Sequence, residues 1–295
     1  MTGALRIDAP GPLCTVQDLG RPGLAHLGVG RSGAADRGAL VRANRLAGNA
    51  DGAAALEITL GGLRLTALAA CRIAIAGASL PVRVDDDNRE CGTVLDLHAG
   101  QRLRLGRPTG GLRSYLSVLG GIDVPEVLGS RSTDMLSGLG PAPISSGDEL
   151  PIGAPPMAPA TGNIGAPPPE PRGTVELPAV LGPRTDAFTD EMLAILHDVE
   201  WTVGSDANRI GLHLDGPALT RRDTAELPTE GMVAGAVQVP SSGSPVVFMA
   251  DHPVTGGYPV IAVLTSGAVD LAAQLRPGRR LRFRPVPDPL TGASR

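Results

Sequence analysis

Forty glycines and 28 prolines in 295 residues leave little uninterrupted chain for long helices. Proline lacks a backbone donor and glycine loses the most entropy inside regular elements, so this punctuation favours short strands joined by turns. Apolar residues make up 42% of the chain, enough for a core in each of about two domains, yet only 2% are aromatic. The core is therefore expected to consist of Leu, Val, Ile and Ala. The expected fold is mostly β with a few short helices.

The formal charge of −4 leaves no basic footprint for a nucleic acid, and one Trp, two Tyr and three Phe cannot supply stacking platforms. No apolar run approaches the ~18 residues of a membrane span. Residues 1–7 carry one Arg and no apolar stretch of the secretory kind. Cys14, Cys71 and Cys91 form no CxxC and leave one thiol over in any pairing scheme, so a reducing, cytoplasmic setting is expected. All 26 basic residues are arginine. Without lysine this polypeptide houses no P-loop and no Schiff-base chemistry, and it carries no covalent biotin.

Along the chain, a helix is expected over 34–47, with Ser32 as N-cap, Asp36 in its first turn and Gly48-Asn49 as its stop. Before it, Thr15 to Gly23 reads as a loop. Strands are expected at 5–7, 56–60, 72–75, 81–84, 94–97, 101–105 and 113–119. The Pro/Gly-rich stretch 153–173 reads as a linker between domains at 1–152 and 174–287, with a flexible tail at 288–295. The second domain is expected to hold a helix over 190–197 capped by Thr189, and strands at 175–181, 200–203, 235–239, 246–250, 260–264 and 281–283. The pattern Leu-x-x-Gly-x-Arg-Leu-Arg followed by an apolar residue occurs at 97–105 and again at 275–283, suggesting related halves.

Gly28-Val29-Gly30-Arg31-Ser32-Gly33 fits G-x-G-x-x-G, but Arg21 to Leu27 is no strand and no βαβ unit follows. What remains is the chance of an anion held by the backbone N–H groups of Ser32 to Ala35. The five histidines form no HxH or HExxH, so no metal site is expected. No serine sits in a nucleophile elbow. Polar residues instead gather in Gly-rich loops: Gln17, Asp18 and Arg21; Ser32 and Asp36; Arg131, Ser132 and Thr133; Asn208 and Arg209; Glu230 and Gln238; Asp251 with Thr255 to Tyr258. Such residues also serve as turn formers and corner caps.

These loops resemble a known family. Pro10 to Gly23, Gly28-Val29, Ser32 to Asp36, Leu56 to Leu60, Gly120 to Pro125, Leu128 to Thr133, Asn208 to Gly211, Gly235 to Pro240 and Thr255 to Pro259 carry the likeness in register. The chain resembles the 5-oxoprolinase C-subunit family, also called the Kip inhibitor antagonist or allophanate hydrolase subunit 2 family. It is similar as well to part of the carboxyltransferase region of urea carboxylase. It departs from the family pattern at Ala35, at Gly140-Pro141, and at His252-Pro253-Val254 after Asp251.

The resemblance implies two cyclophilin-like β-barrels that work beside a first subunit of the Kip inhibitor or 5-oxoprolinase B type. The large A-type 5-oxoprolinase component is implied when 5-oxoproline is opened to glutamate with ATP and Mg²⁺. For such chemistry Arg131 and Arg209 are candidates for holding anions and Gln17 and Gln238 for reading an amide. Asp18, Asp36, Glu230 and Asp251 are candidates for a base or a nucleotide-bound magnesium. Arg21, Ser32, Ser132, Thr255 and Tyr258 complete the candidate binding set. Two other readings stand beside this one: a carboxyltransferase using carboxybiotin in trans, and a regulator that binds a Kip inhibitor-type partner. The isolated chain is expected to be inactive.

Overall fold

A computed structural model describes residues 4–157, 173–223 and 227–287. The chain forms two compact units, one of Met1–Gly23 with Arg31–Glu170 and one of Leu24–Gly30 with Pro171–Arg295. Of the expected linker, 153–157 contains no strand or helix, and 158–172 lies outside the described residues, as does the tail 288–295.

In the first unit the strands are β1 (Ala4–Ala9), β2 (Leu13–Gln17), β3 (Ala55–Thr59), β4 (Arg64–Ala67), β5 (Cys71–Gly77), β6 (Val82–Val84), β7 (Asp87–Arg89), β8 (Val94–Leu97), β9 (Arg102–Leu105), β10 (Arg113–Val118) and β11 (Glu149–Pro151). They make a six-stranded sheet in the order β11-β1-β4-β9-β6-β7 and a five-stranded sheet in the order β2-β3-β10-β5-β8. Alternation places Val16, Leu56, Ile58, Ile73, Ile75 and Leu116 from the smaller sheet in one cluster with Leu5, Ile7, Leu65, Val82, Leu103 and Leu105 from the larger. Each such side chain contributes roughly 1.5–3 kcal/mol by leaving water. Aliphatic packing thus replaces the missing aromatics.

Helix α1 (Arg37–Ala47) covers the other face of the smaller sheet, where Leu40 and Ala43 meet Ala55, Ala76 and Tyr115. Strand β10 is consequently buried at every residue. The helix begins later than the sequence suggests. Asp36, not Ser32, is its N-cap and accepts from Ala39 N at 2.8 Å, while Gly48 closes it in the left-handed region as expected. The last three residues of β2, Thr15 to Gln17, lie where the start of a loop was expected, because Thr15 and Gln17 are buried as well as Val16 and blur the alternation.

The second unit contains β12 (Val175–Leu181), β13 (Trp201–Val203), β14 (Gly211–Asp215), β15 (Glu230–Gly231), β16 (Ala236–Gln238), β17 (Val246–Phe248), β18 (Thr255–Gly256), β19 (Val260–Leu264) and β20 (Arg280–Pro285). Seven of them close a barrel, β12-β19-β16-β17-β14-β13-β20, and β15 and β18 form a separate ribbon. Closure comes from the parallel pairing of β12 with β20, and it leaves the barrel with no open edge. Thr189 caps α2 (Asp190–Asp198) as expected, and Thr265 caps α3 (Ser266–Ala272), which the sequence pattern did not reveal. The repeated motif adopts the same shape twice. Gly100 and Gly278 turn with φ of 87° and 81°, and each turn leads into a strand whose leucine is buried.

Candidate functional site

The polar residues singled out from sequence separate into closed networks and one open group. Asp18 follows β2 directly, and the chain must double back there. Gly20, at φ 77°, has no room for a Cβ, which would lie 2.4 Å from the Arg31 carbonyl. The Asp18 carboxylate accepts from Gly20 N, Ser130 Oγ and Arg131 N at 2.7 Å each, and from Ser132 Oγ at 2.5 Å. Four donors leave it committed to holding the 124–139 loop against β2, which suits a structural latch better than a base.

The neighbours are committed as well. Gln17 Nε2 donates to Thr15 Oγ1 and to the Thr133 carbonyl at 3.0 and 2.9 Å, with its side chain fully buried. Ser32 Oγ donates to the same carbonyl, and Arg21 Nη2 donates to the Ser132 carbonyl at 2.6 Å. Arg131, expected to hold an anion, already faces Asp123 at 2.9 Å and Glu126 at 2.6 Å. The structure thus gathers Gln17, Asp18, Arg21, Ser32, Arg131 and Ser132 into one cluster, most of whose polar atoms bond within it, while Gln17 Oε1, Arg21 Nη1 and Thr133 Oγ1 are buried without a hydrogen-bond partner.

Of the N–H groups expected to hold an anion at the start of α1, those of Ala34 and Ala35 are engaged by the chain itself. Ala34 N donates to the Asp18 carbonyl, Ala35 N to Glu57 Oε2 and Asp36 N to Tyr115 Oη. Tyr115 Oη in turn donates to Glu57 Oε2 at 2.7 Å, and Arg113 Nε lies 3.4 Å from Glu57 Oε1. Burial first, then the charges of Glu57 and Asp36, hold the Tyr115 hydroxyl well above its ordinary value. Sequence reasoning missed Glu57, Arg113 and Tyr115 as a network. In an alternating strand Glu57 reads as a solvent position, and only the covering helix makes it interior.

In the second unit Arg209 and Asp251, expected separately as anion holder and base, are paired to each other. Arg209 Nε and Nη2 meet the two Asp251 oxygens at 2.8 and 2.9 Å, with side-chain exposures of 2% and 0%. A pair this enclosed is a structural clamp.

The remaining candidates form the open group. The β15–β18 ribbon sets Glu230 opposite Gly256. Glu230 Oε1 accepts from Arg184 Nε and Nη2, and these side chains are 27% and 32% exposed. Gln238 Nε2 donates to the Tyr258 carbonyl at 3.0 Å. A Cβ on Gly256 would come within 2.6 Å of that nitrogen, so the bare glycine is what lets the amide approach the ribbon. Thr255 is exposed and Tyr258 is 43% exposed. This group offers a carboxylate, a guanidinium and hydroxyls that water reaches, beside the primary amide of Gln238, which is itself buried at 5% exposure. Arg184 belongs to it and carried no signal in the sequence beyond following Gly182-Pro183. Asp36, buried as a helix cap, does not.

Among the described residues no group of three or more His, Cys, Asp or Glu is arranged to hold a metal ion, and no helix is long and apolar enough to cross a membrane.

A closed barrel joined in sequence to a two-sheet unit, with polar residues gathered in the loops, makes this a mostly β protein of two units. The carboxyltransferase domain family, subdomain A and B, matches residues 27–285, and the chain belongs to that family. It is 39% identical to the C subunit of 5-oxoprolinase from Escherichia coli (strain K12), over 95% of this chain and 90% of that protein. It is 31% identical to urea amidolyase of Lachancea kluyveri, over 96% of this chain but 17% of that much longer protein. The solved urea amidolyase of K. lactis superimposes with a TM-score of 0.91 at 28% identity, covering 97% of this chain and 19% of the other.

Proposed function

We propose that this chain is one member of an ATP-dependent 5-oxoprolinase-type complex that opens the 5-oxoproline lactam to glutamate. The observation that carries the reading is the 39% identity that extends over 95% of this chain and 90% of a 5-oxoprolinase C subunit. Within the chain, the Glu230 group is where substrate contact is proposed. Its carboxylate is poised by Arg184, and the Gln238 amide is the partner type that a lactam N–H and C=O recognise. Arg131, Arg209, Asp18 and Asp251 are assigned instead to holding loops in place.

ATP and Mg²⁺ are assigned to the assembly and not to a site on this chain alone. Magnesium bound with nucleotide takes one or two carboxylates. Asp18, Asp36 and Asp251 are each engaged by donors of this chain, and no lysine is present to hold phosphates. The proposed partners are a first subunit of the Kip inhibitor or 5-oxoprolinase B type and the large A-type 5-oxoprolinase component. Water-exposed groups gain electrostatic strength when a partner excludes solvent, so the single chain is expected to be inactive.

The test is reconstitution. The chain mixed with B-type and A-type partners should convert 5-oxoproline to glutamate with ATP consumption, and omission of any one should abolish it. Turnover by the chain alone, or none by the full mixture, would overturn the reading. The likeness to urea amidolyases favours one alternative, a carboxyltransferase that receives carboxybiotin in trans. Carboxylation of urea on addition of a biotin-bearing carboxylase would select it.

A further inference from the structure

The two copies of the Leu-x-x-Gly-x-Arg-Leu-Arg motif differ in how their arginines are neutralised. In β20, Arg280 Nη1 lies 2.8 Å from Glu200 Oε2, and Arg282 Nη2 lies 3.9 Å from Glu200 Oε1. In β9, Arg102 and Arg104 are exposed, and among the described residues neither guanidinium has a carboxylate at ion-pair distance. Asp85 feels both charges, but its oxygens accept from Arg102 N and Gln101 Nε2.

The strand register compounds the excess. Arg104 stands opposite Arg64 of β4 on one side and opposite Arg83 of β6 on the other, so three arginines share a row across three strands. The next row on the same face brings together Arg6, Thr66 and Arg102. Like charges directly opposite each other destabilise a sheet. Asp8 lies 3.3 Å from Arg6 and accepts from Thr66 at 2.8 Å, and Glu149 of β11 stands opposite Arg6, but among the described residues no carboxylate is at ion-pair distance from Arg64, Arg83, Arg102 or Arg104. A depression of about 290 Å³ on this face is lined by Arg6, Asp8, Arg64, Arg102, Leu103 and Arg104. In a chain of net charge −4, this cluster runs against the overall sign.

We propose that the outer face of β1, β4, β9 and β6 docks an acidic, extended segment of a partner polypeptide. Small-molecule sites are concave and mainly apolar, with few polar groups. This face is a field of long arginines with a single apolar lining residue. Its rows are two residues apart along the strands, roughly 7 Å, which is the spacing of same-face side chains in an extended peptide. Guanidinium forks match carboxylates in pairs, and complementary charge of this kind sets partner choice and encounter rate. The inference stands apart from the lactam reading, since it concerns a surface and not the reaction.

The experiment measures binding of a fluorescein-labelled alternating Glu-Ala peptide to the full chain by anisotropy at low salt. Arg64→Glu/Arg104→Glu should weaken binding by about tenfold or more. Arg276→Glu/Arg284→Glu, the same charge change on the other unit, should alter it by less than about twofold. Circular dichroism and the unfolding midpoint check the fold, and Arg64→Gln/Arg104→Gln carries the test if charge reversal disturbs folding. Equal losses in both pairs mean nonspecific attraction and overturn the proposal, as does no loss in either. Arg64- and Arg104-dependent binding of inorganic tripolyphosphate without binding of the peptide also overturns it, in favour of a phosphate ligand.

Discussion

Asp18 and Glu230 are both carboxylates in glycine-rich loops, yet the fold gives them opposite circumstances. Asp18 is 8% exposed and accepts from four donors of its own chain, whereas Glu230 is 27% exposed at its side chain and is held by Arg184. The first region uses its polar atoms to close a loop, and the second leaves them where another molecule can meet them. Residue type and loop context therefore do not separate a latch from a site. Donor count and exposure do.

The sharpest way to break this comparison is at the most enclosed pair. Arg209→Ala strands a buried Asp251 carboxylate and should cost about 3–5 kcal/mol of stability. Urea denaturation measures it, and a loss below about 1 kcal/mol would place Arg209 in the open class after all. Asp18→Ala comes next, at about 2–3 kcal/mol, because its removal orphans several buried donors at once. Asp18→Asn, which keeps an acceptor, should lose less. If the two variants are equally stable, the latch is misassigned.

Glu230→Gln should behave in the opposite way. Its partly exposed pair predicts a stability change below about 1 kcal/mol, while turnover of the assembled complex falls about tenfold or more. A large stability loss with unchanged turnover would move Glu230 into the structural class.

The smallest effect expected is a pH effect on the first unit. Burial, with Glu57 nearby, pushes the Cys14 thiol far up from its ordinary value of 9.0, and burial pushes Cys71 to about 11. Below the ordinary value the thiols are neutral whether the chain is folded or not. Above it the unfolded chain ionises first, so stability should hold to about pH 8.5 and fall as pH rises further. An unfolding series across that range checks the sign. Cys14 should also resist thiol reagents until the chain unfolds.

Much of the architecture was legible in the residues. Val94–Leu97, Val175–Leu181 and Val260–Leu264 are strands at the boundaries the alternation suggests, and Thr189 and Gly48 cap helices where their types predict. The site was legible only as a set of names. Gln17, Asp18, Arg21, Ser32, Arg131 and Ser132 do come together, but which of their atoms find partners depends on Ser130, Thr133, Asp123 and Glu126 arriving from distant loops. Arg184 was not legible, because its role exists only once β15 and β18 pair and turn Glu230 toward it.

Composition alone determined that the chain would be mostly β, built on aliphatic cores, and unable to carry biotin or a P-loop, since these follow from which residues are present or missing. Tertiary structure decided which charged groups are satisfied. Glu57 lies in an ordinary alternating strand, and Arg209 and Asp251 are 42 residues apart. Whether such a group meets water, a partner or an opposite charge depends on which segments the fold stacks over it, and local sequence periodicity holds no record of that.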